Sequence, residues 1–243
     1  MPESAAVEFL DLAPDLDATF VQCPPPGLTP WERGEIDRLW TETRTLNPAM
    51  FDGPLAAALG VDRPASGPLV VRWAATTYRH RALRRLRPAG RVPGSLFVTA
   101  LVPTESGLVV GRASPATASP GHWTLPGGTV EPPPPGEVLD MRALRRHAAR
   151  ELAEETGMRL DADGLRLWGI TRGRLFGSLG FHFLAPAASS TRVRHLHANL
   201  RPTGDGTVPE LDEIAFVSTP PEAVALGPFA NYLPQVLDRY FAP

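Results

Sequence analysis

The sequence predicts an α/β protein: a mixed β-sheet flanked by helices, preceded by a smaller N-terminal α+β lobe. Three observations lead there. Short β-rich runs alternate with helical patterns through residues 91–243, and a well-signalled helix opens near residue 30. The length of 243 residues, with 43% hydrophobic and 21% charged side chains, is enough to bury a substantial core without staples. The expected organisation is an N-terminal lobe over residues 1–90 and a main domain over residues 91–243.

Thr29-Pro30-Trp31-Glu32 is a helix opening, with a hydroxyl cap, proline at the first helical position and a glutamate placed to bond back to the cap. That helix is expected to run to about Leu46 with Ile36, Leu39, Trp40 and Thr43 inward, and to stop before Asn47-Pro48. Pro68 to Ala75 has strand character, and Tyr78 to Leu86 that of a short arginine-rich helix or turn. Ser95 to Pro103 and Leu108 to Ala113 flank a hairpin signal at Thr104-Glu105-Ser106-Gly107, and His122 to Leu125 is a third short strand. Four successive prolines, Pro132 to Pro135, exclude helix and internal strand and predict an exposed loop. Helix resumes near Leu139 and runs to about Thr156, where Gly157 stops it. Further strands are expected at Leu165 to Thr171, Phe176 to Leu184, Val193 to Leu200 and Ile214 to Ser218, with a last helix from about Phe229 to Phe241.

A formal net charge of -2 excludes a strongly basic nucleic-acid binder and a largely disordered acidic chain. Cys23 is the only cysteine, so neither a disulfide framework nor a cysteine-based zinc site is available. The start of the chain is acidic, and no stretch approaches the roughly 18 apolar residues of a membrane span. A cytoplasmic protein without membrane or nucleic-acid partners is the expectation. Charge is uneven: residues 53–130 hold 2 acids and 9 arginines, a face suited to an anionic ligand.

The segment with chemical content is Gly127-Gly128-Thr129-Val130-Glu131, followed by Arg150-Glu151-Leu152-Ala153-Glu154-Glu155-Thr156-Gly157-Met158. On a helix, Glu151, Glu154 and Glu155 fall within one stripe, where like charges repel unless solvent or a cation neutralises them. Oxygen-only ligands on one face suit Mg²⁺ or Mn²⁺, ions whose shells are completed by water and substrate phosphates. The alternative is a solvated acidic helix face. Gly127 and Gly128 allow the preceding backbone to turn sharply and bring a carbonyl toward an ion.

This string resembles the Nudix box, G-x5-E-x7-R-E-U-x-E-E-x-G-U with U aliphatic. Arg150 to Met158 fits every fixed position of the second half, and Gly127-Gly128 with Val130 and Glu131 fits the opening. From Gly128 to Arg150 is 22 positions where the pattern has 14, so eight residues are inserted around Glu137, the candidate for the first glutamate. The resemblance implies a Nudix α/β/α sandwich, divalent-metal dependence and hydrolysis of a nucleoside diphosphate linked to another group. It also implies that Glu154 and Glu155 are the principal metal ligands, Glu151 a ligand or base, Gly127 a carbonyl ligand and Arg150 an orienting partner. A further acid from a later loop is implied too, with Glu210, Asp212 and Glu213 as candidates and Glu210 carried forward as a metal ligand. Relatives of this kind commonly pair, so the resemblance admits a homodimer.

In the N-terminal lobe, Gln22-Cys23-Pro24, Trp40, Pro48, Phe51-Asp52, Leu69 to Arg72 and Thr77-Tyr78-Arg79 resemble the lobe of the UDP-sugar pyrophosphatase branch. That resemblance implies UDP-glucose or UDP-galactose as the small-molecule nucleotide substrate, with Tyr78 and Arg79 as nucleotide contacts. The alternatives are ADP-ribose, a dinucleotide or a modified nucleoside triphosphate, and a non-catalytic ligand-sensing Nudix module. Trp123 and Trp168 are candidates for stacking on a base, with core packing as the alternative. The arginines from Arg79 to Arg91 either grip phosphates or form a solvated basic helix. His147, four residues before Glu151, is expected as a surface partner, and His195 and His197 as same-face residues of a strand without a third zinc ligand.

Overall fold

The computed structural model describes residues 7–10, 18–63, 67–200 and 209–242. In chain order these form β1 (Val7–Leu10), β2 (Ala18–Gln22), α1 (Pro30–Leu46), β3 (Pro54–Asp62) and β4 (Leu69–Thr77). After the 3-10 turns Tyr78–Arg85 and Ala89–Arg91 come β5 (Gly94–Leu101), β6 (Pro103–Thr104), β7 (Gly107–Ala113), β8 (Trp123–Thr124), β9 (Gly127–Thr129) and α2 (Met141–Thr156). The chain continues with β10 (Arg166–Gly173), β11 (Leu179–Leu184), α3 (Ser190–Ala198), β12 (Leu211–Val217), α4 (Pro220–Ala225) and α5 (Leu233–Phe241).

The larger sheet has the order β1-β10-β11-β5-β3-β4-β2, with β9 also on β5. The pairs β5·β11 and β2·β4 are parallel and the others antiparallel, so the sheet is mixed. A smaller sheet runs β12-β7-β6 with β8 on β7. Strand alternation divides the core. Leu96, Val98 and Ala100 pack with Leu144, Ala148 and Leu152 of α2 and Val193 of α3. Leu101, Leu108 and Trp123 pack with Leu233, Val236 and Leu237 of α5. Helices therefore cover both sides of the sheets in an α/β/α arrangement. The larger sheet is continuous across residue 90, because β3 hydrogen-bonds β5 at Ala57↔Ser95 and Ala58↔Gly94.

The signals at α1 behave as expected. Thr29 Oγ1 accepts the Glu32 N–H at 3.2 Å, and Glu32 Oε2 accepts the Thr29 N–H at 2.8 Å. Ile36 and Leu39 are buried whereas Thr43 is exposed. Several expectations are corrected. Val193 to Leu200 is not a strand but lies largely in α3. Ser189 accepts the Arg192 N–H, and Glu105, reaching in from the β6–β7 tip, accepts the Ser190 N–H at 3.0 Å and its hydroxyl at 2.6 Å. On a helix, residues two apart diverge by about 200°, so His195 and His197 do not share a face. The hairpin pairs Pro103 and Thr104 with β7 and adds a bond from the Val109 N–H to the Val102 carbonyl at 3.1 Å, since β5 belongs to the other sheet. The strands β1, β2 and β3 and the helix α4 are not among the elements expected from the sequence. Among the described residues no helix is long and apolar enough to cross a membrane.

Candidate active site

Both ends of α2 are fixed. Asp140 accepts the Ala143 N–H at 2.6 Å, and Gly157, at φ 76°, donates its N–H to the Ala153 carbonyl at 3.0 Å. Leu144, Ala148 and Leu152 are at most 1% exposed and anchor one face against the sheet. Glu155 stands seven residues after Ala148, two helical turns along that same side, and is consequently buried at 3% exposure. Glu151 lies at the edge of this face with its side chain 13% exposed, while Glu154 points outward at 61%.

Gly127 and Gly128, expected to turn the backbone sharply, instead lie in the short strand β9, which meets this helix from the sheet. Leu96 and Ala100 bond to Val130 and Pro126, so by antiparallel alternation the pair Thr99↔Gly127 exchanges no backbone bonds and the Gly127 peptide faces away from β5. Its N–H donates to Glu155 Oε2 at 2.6 Å. Gly127, at φ 151°, has no room for a side chain, because a Cβ would run into the Val98 carbonyl oxygen. At Gly128 a Cβ would stand 2.5 Å from Glu151 Oε2, so the absence of a side chain is what admits that carboxylate.

Burial, and then the charges of Glu151, Glu210 and Glu154, push the Glu155 carboxyl well above the ordinary range, opposed by the Gly127 N–H. Glu154 is raised by partial desolvation and by Glu151, and lowered in part by Arg150 and His147. Glu210, at the entrance to β12, is raised by the surrounding protein and by the charges of Glu151 and Glu154. Asp212 and Glu213 are engaged elsewhere, pairing with Arg112 at 3.0 and 3.1 Å. Of the three later acids, Glu210 is the one within electrostatic reach of Glu151, Glu154 and Glu155, with its side chain exposed.

Two bases moderate it. His147 Nε2 lies 2.9 Å from Glu151 Oε1, and the histidine is buried rather than on the helix surface. Arg150 spans Glu131 at 3.2 Å, Glu151 at 3.5 Å and Glu154 at 3.9 Å. Glu137 pairs instead with Arg146 at 3.8 Å, and both side chains are more than half exposed. Among the described residues no three acidic, histidine or cysteine side chains converge tightly enough to ligate an ion as they stand. Hard oxygen donors beside the Gly127 peptide, which faces away from β5, nevertheless fit Mg²⁺ or Mn²⁺, because Mg²⁺ keeps several waters and needs only one or two carboxylates.

The other candidates sit elsewhere. Tyr78 packs 6.2 Å from Trp40, with the Arg81 guanidinium 4.8 Å over its ring. Arg79 is held by Asp37 at 2.9 Å and Asp52 at 3.2 Å, joining α1 to the turn before β3. Trp123 is not a stacking platform: it is 4% exposed and donates Nε1–H to the Leu226 carbonyl at 3.1 Å, because β8 lies under α5. Trp168 packs edge-on to Phe9 at 5.7 Å. The roles of His147 at Glu151 and of Glu131 at Arg150 were not assigned from the sequence. Only the i,i+4 spacing of His147 hinted at the first.

A three-layer α/β/α fold with a glutamate helix seated on a two-glycine strand defines the class of the Nudix pyrophosphohydrolases. Residues 96–240 match the NUDIX domain family, and the chain belongs to it. No curated protein matches the chain. Similar solved structures include a MutT protein from Methanosarcina mazei Go1, 21% identical, covering 60% of this chain and 91% of its own, with a TM-score of 0.39. A bifunctional NMN adenylyltransferase/ADP ribose pyrophosphatase from Francisella tularensis is 17% identical, covering 66% of this chain and 43% of that one, with a TM-score of 0.43. The same enzyme complexed with AMP and a manganese ion is 16% identical, covering 67% and 46%, with a TM-score of 0.42.

Proposed function

We propose that this Nudix protein hydrolyses the pyrophosphate bridge of a nucleoside diphosphate joined to a second group, with UDP-glucose or UDP-galactose split to UMP and a sugar 1-phosphate. The observation that carries the reading is the gathering of Glu151, Glu154, Glu155 and Glu210 within mutual electrostatic reach beside Gly127 and Gly128. Gathering like charges around the buried Glu155 carboxylate is unfavourable in the absence of a cation.

A divalent cation, Mg²⁺ or Mn²⁺, supplies Lewis acidity toward a phosphoryl oxygen and lowers the pKa of water when bound. Glu154 and Glu155 are assigned to hold it, with the Gly127 carbonyl beside them. Glu151, braced by His147 and Arg150, is a further ligand or the base that receives the proton. Glu210 is a fourth acid delivered from the smaller sheet. Arg150 keeps Glu151 and Glu154 in their rotamers and tempers their repulsion. The sugar-nucleotide assignment, with Tyr78 and Arg79 as contacts, rests on the N-terminal resemblance, and Trp123 has no part in it.

The test is a panel of UDP-glucose, UDP-galactose, ADP-ribose, a dinucleotide and an oxidised nucleoside triphosphate, incubated with Mg²⁺ or Mn²⁺ and scored by chromatography. UMP from the UDP-sugars at the highest kcat/KM is expected. AMP from ADP-ribose at a higher kcat/KM would replace the substrate assignment. No turnover of any member would leave the sensing module as the better reading.

A further inference from the structure

A cavity of about 140 Å³ lies away from the carboxylates, walled by Gly60 of β3, Gly90, and Arg172, Arg174, Phe176 and Gly177 at the β10–β11 connection. A space of about that size admits a molecule as large as benzene, and so a tetrahedral oxyanion. Among the described residues, two arginines and no acid line it. Arg172 is exposed and forms no ion pair among the described residues, and Arg174 has only the pair with Glu8 at 3.7 Å. Phe176 also carries the Arg84 guanidinium, 4.8 Å from its ring centre. Arg84 has no carboxylate partner among the described residues. Its Nε is buried without an acceptor, and its Nη2 reaches the Ser95 and Ser178 hydroxyls only at 3.4 Å.

Among the described residues this positive charge is offset only in part, by Glu8, which pairs with Arg174 and stands opposite Arg172 across the β1–β10 ladder, and it surrounds a concavity of anion size. Guanidinium forks match the oxygens of phosphate in pairs, and a concave wall of one charge sign raises the local concentration of counter-ions. We propose that the cavity binds a small oxyanion of the phosphate class through Arg172 and Arg174, with Arg84 adding positive potential beside Phe176. The β3–β5 contact nearest the cavity, Ala58↔Gly94, is four residues of β5 from Val98↔Gly128, ~13 Å along the strand. The anion therefore sits apart from the carboxylate cluster, and binding requires no turnover and no divalent ion.

The test is calorimetric titration of the full chain, stripped of divalent ions and desalted, with inorganic phosphate. Saturable binding that weakens with salt is expected, and Arg172→Gln and Arg174→Gln should each weaken it at least tenfold. Arg85→Gln, an exposed residue outside the cavity, should leave it unchanged. No binding to the wild-type chain, or wild-type affinity in Arg172→Gln, would overturn the proposal. Should a variant fold poorly, the side-chain Nε–H NMR signals of Arg172 and Arg174 in the wild-type chain must move on phosphate addition, and immobile signals would equally overturn it. Titration in the presence of UMP separates the sources. Unchanged phosphate affinity supports a free anion as the ligand. Competition that Arg172→Gln abolishes supports a nucleotide-borne phosphate in the same cavity.

Discussion

Glu154 is the member of the acidic trio whose side chain is most exposed, at 61%, so an amide of the same shape should be accepted there without disturbing the core. Glu154→Gln is expected to lower kcat by two or more orders of magnitude while the thermal midpoint stays within a few degrees. Parallel kinetics and calorimetry check this, and unchanged turnover would remove Glu154 from the metal assignment. Gly128→Ala acts on the same chemistry through space. Its methyl would meet Glu151 Oε2 at 2.5 Å and push that carboxylate from His147, so kcat and the response to Mg²⁺ are both expected to fall. These residues were legible because a helical stripe is a short-range pattern. The burial of Glu155 and His147 was not, since it depends on which face the sheet covers. Trp123 was misjudged for the same reason: an indole serves equally as platform or as core, and only the position of α5 decides.

At the level of elements, α1 is tied to the arginine-rich turn through Glu32, which accepts from Arg87 at 2.6 and 2.9 Å. The Arg87 hydrogen bonds first, and then the Thr29 N–H, lower the Glu32 carboxyl from 4.5 to about 2. Since the folded value lies below the unfolded one, the stabilisation is complete above about pH 4.5 and fades as pH falls through about 2. The difference in thermal midpoint between wild type and Glu32→Gln should accordingly be largest near neutrality and shrink through that window. Thr29→Ala, which removes the reciprocal cap, is expected to cost ~1 kcal/mol in denaturant titration. The cap itself was plain in Thr-Pro-Trp-Glu, whereas α3 was mistaken for a strand because its N-terminal partner, Glu105, is 85 positions away. β3 was missed because Leu-Ala-Ala-Ala-Leu-Gly has little intrinsic strand preference. Its neighbours β4 and β5, supplying ladder bonds on both sides, impose the extended form.

For the whole molecule, the division at residue 90 can be tested directly. β3 and β5 share a ladder, and Ala56, Val71 and Trp73 belong to the same buried cluster as Phe181 and Leu152. A chain starting at residue 91 would expose that cluster and the edge of β5, and is expected to aggregate or to lose cooperative unfolding by calorimetry. A domain that folds alone would restore the division as a physical one. The layered class was legible from the alternation of elements, but the sharing of one sheet by both segments was not, because strand partners distant in sequence leave no local signature.

The pairing of β1 with β10 and of β5 with β11 bears on how the chain is made. A ribosome delivers residues 7–10 long before residues 166–173 exist to receive them, and β5 lacks its parallel neighbour until residue 184 has emerged from the exit tunnel. Sequence-distant pairings of this kind close slowly. Synthesis therefore passes through a stage with an unfinished central strand, the stage at which a nascent-chain chaperone or a pause in translation has most to protect.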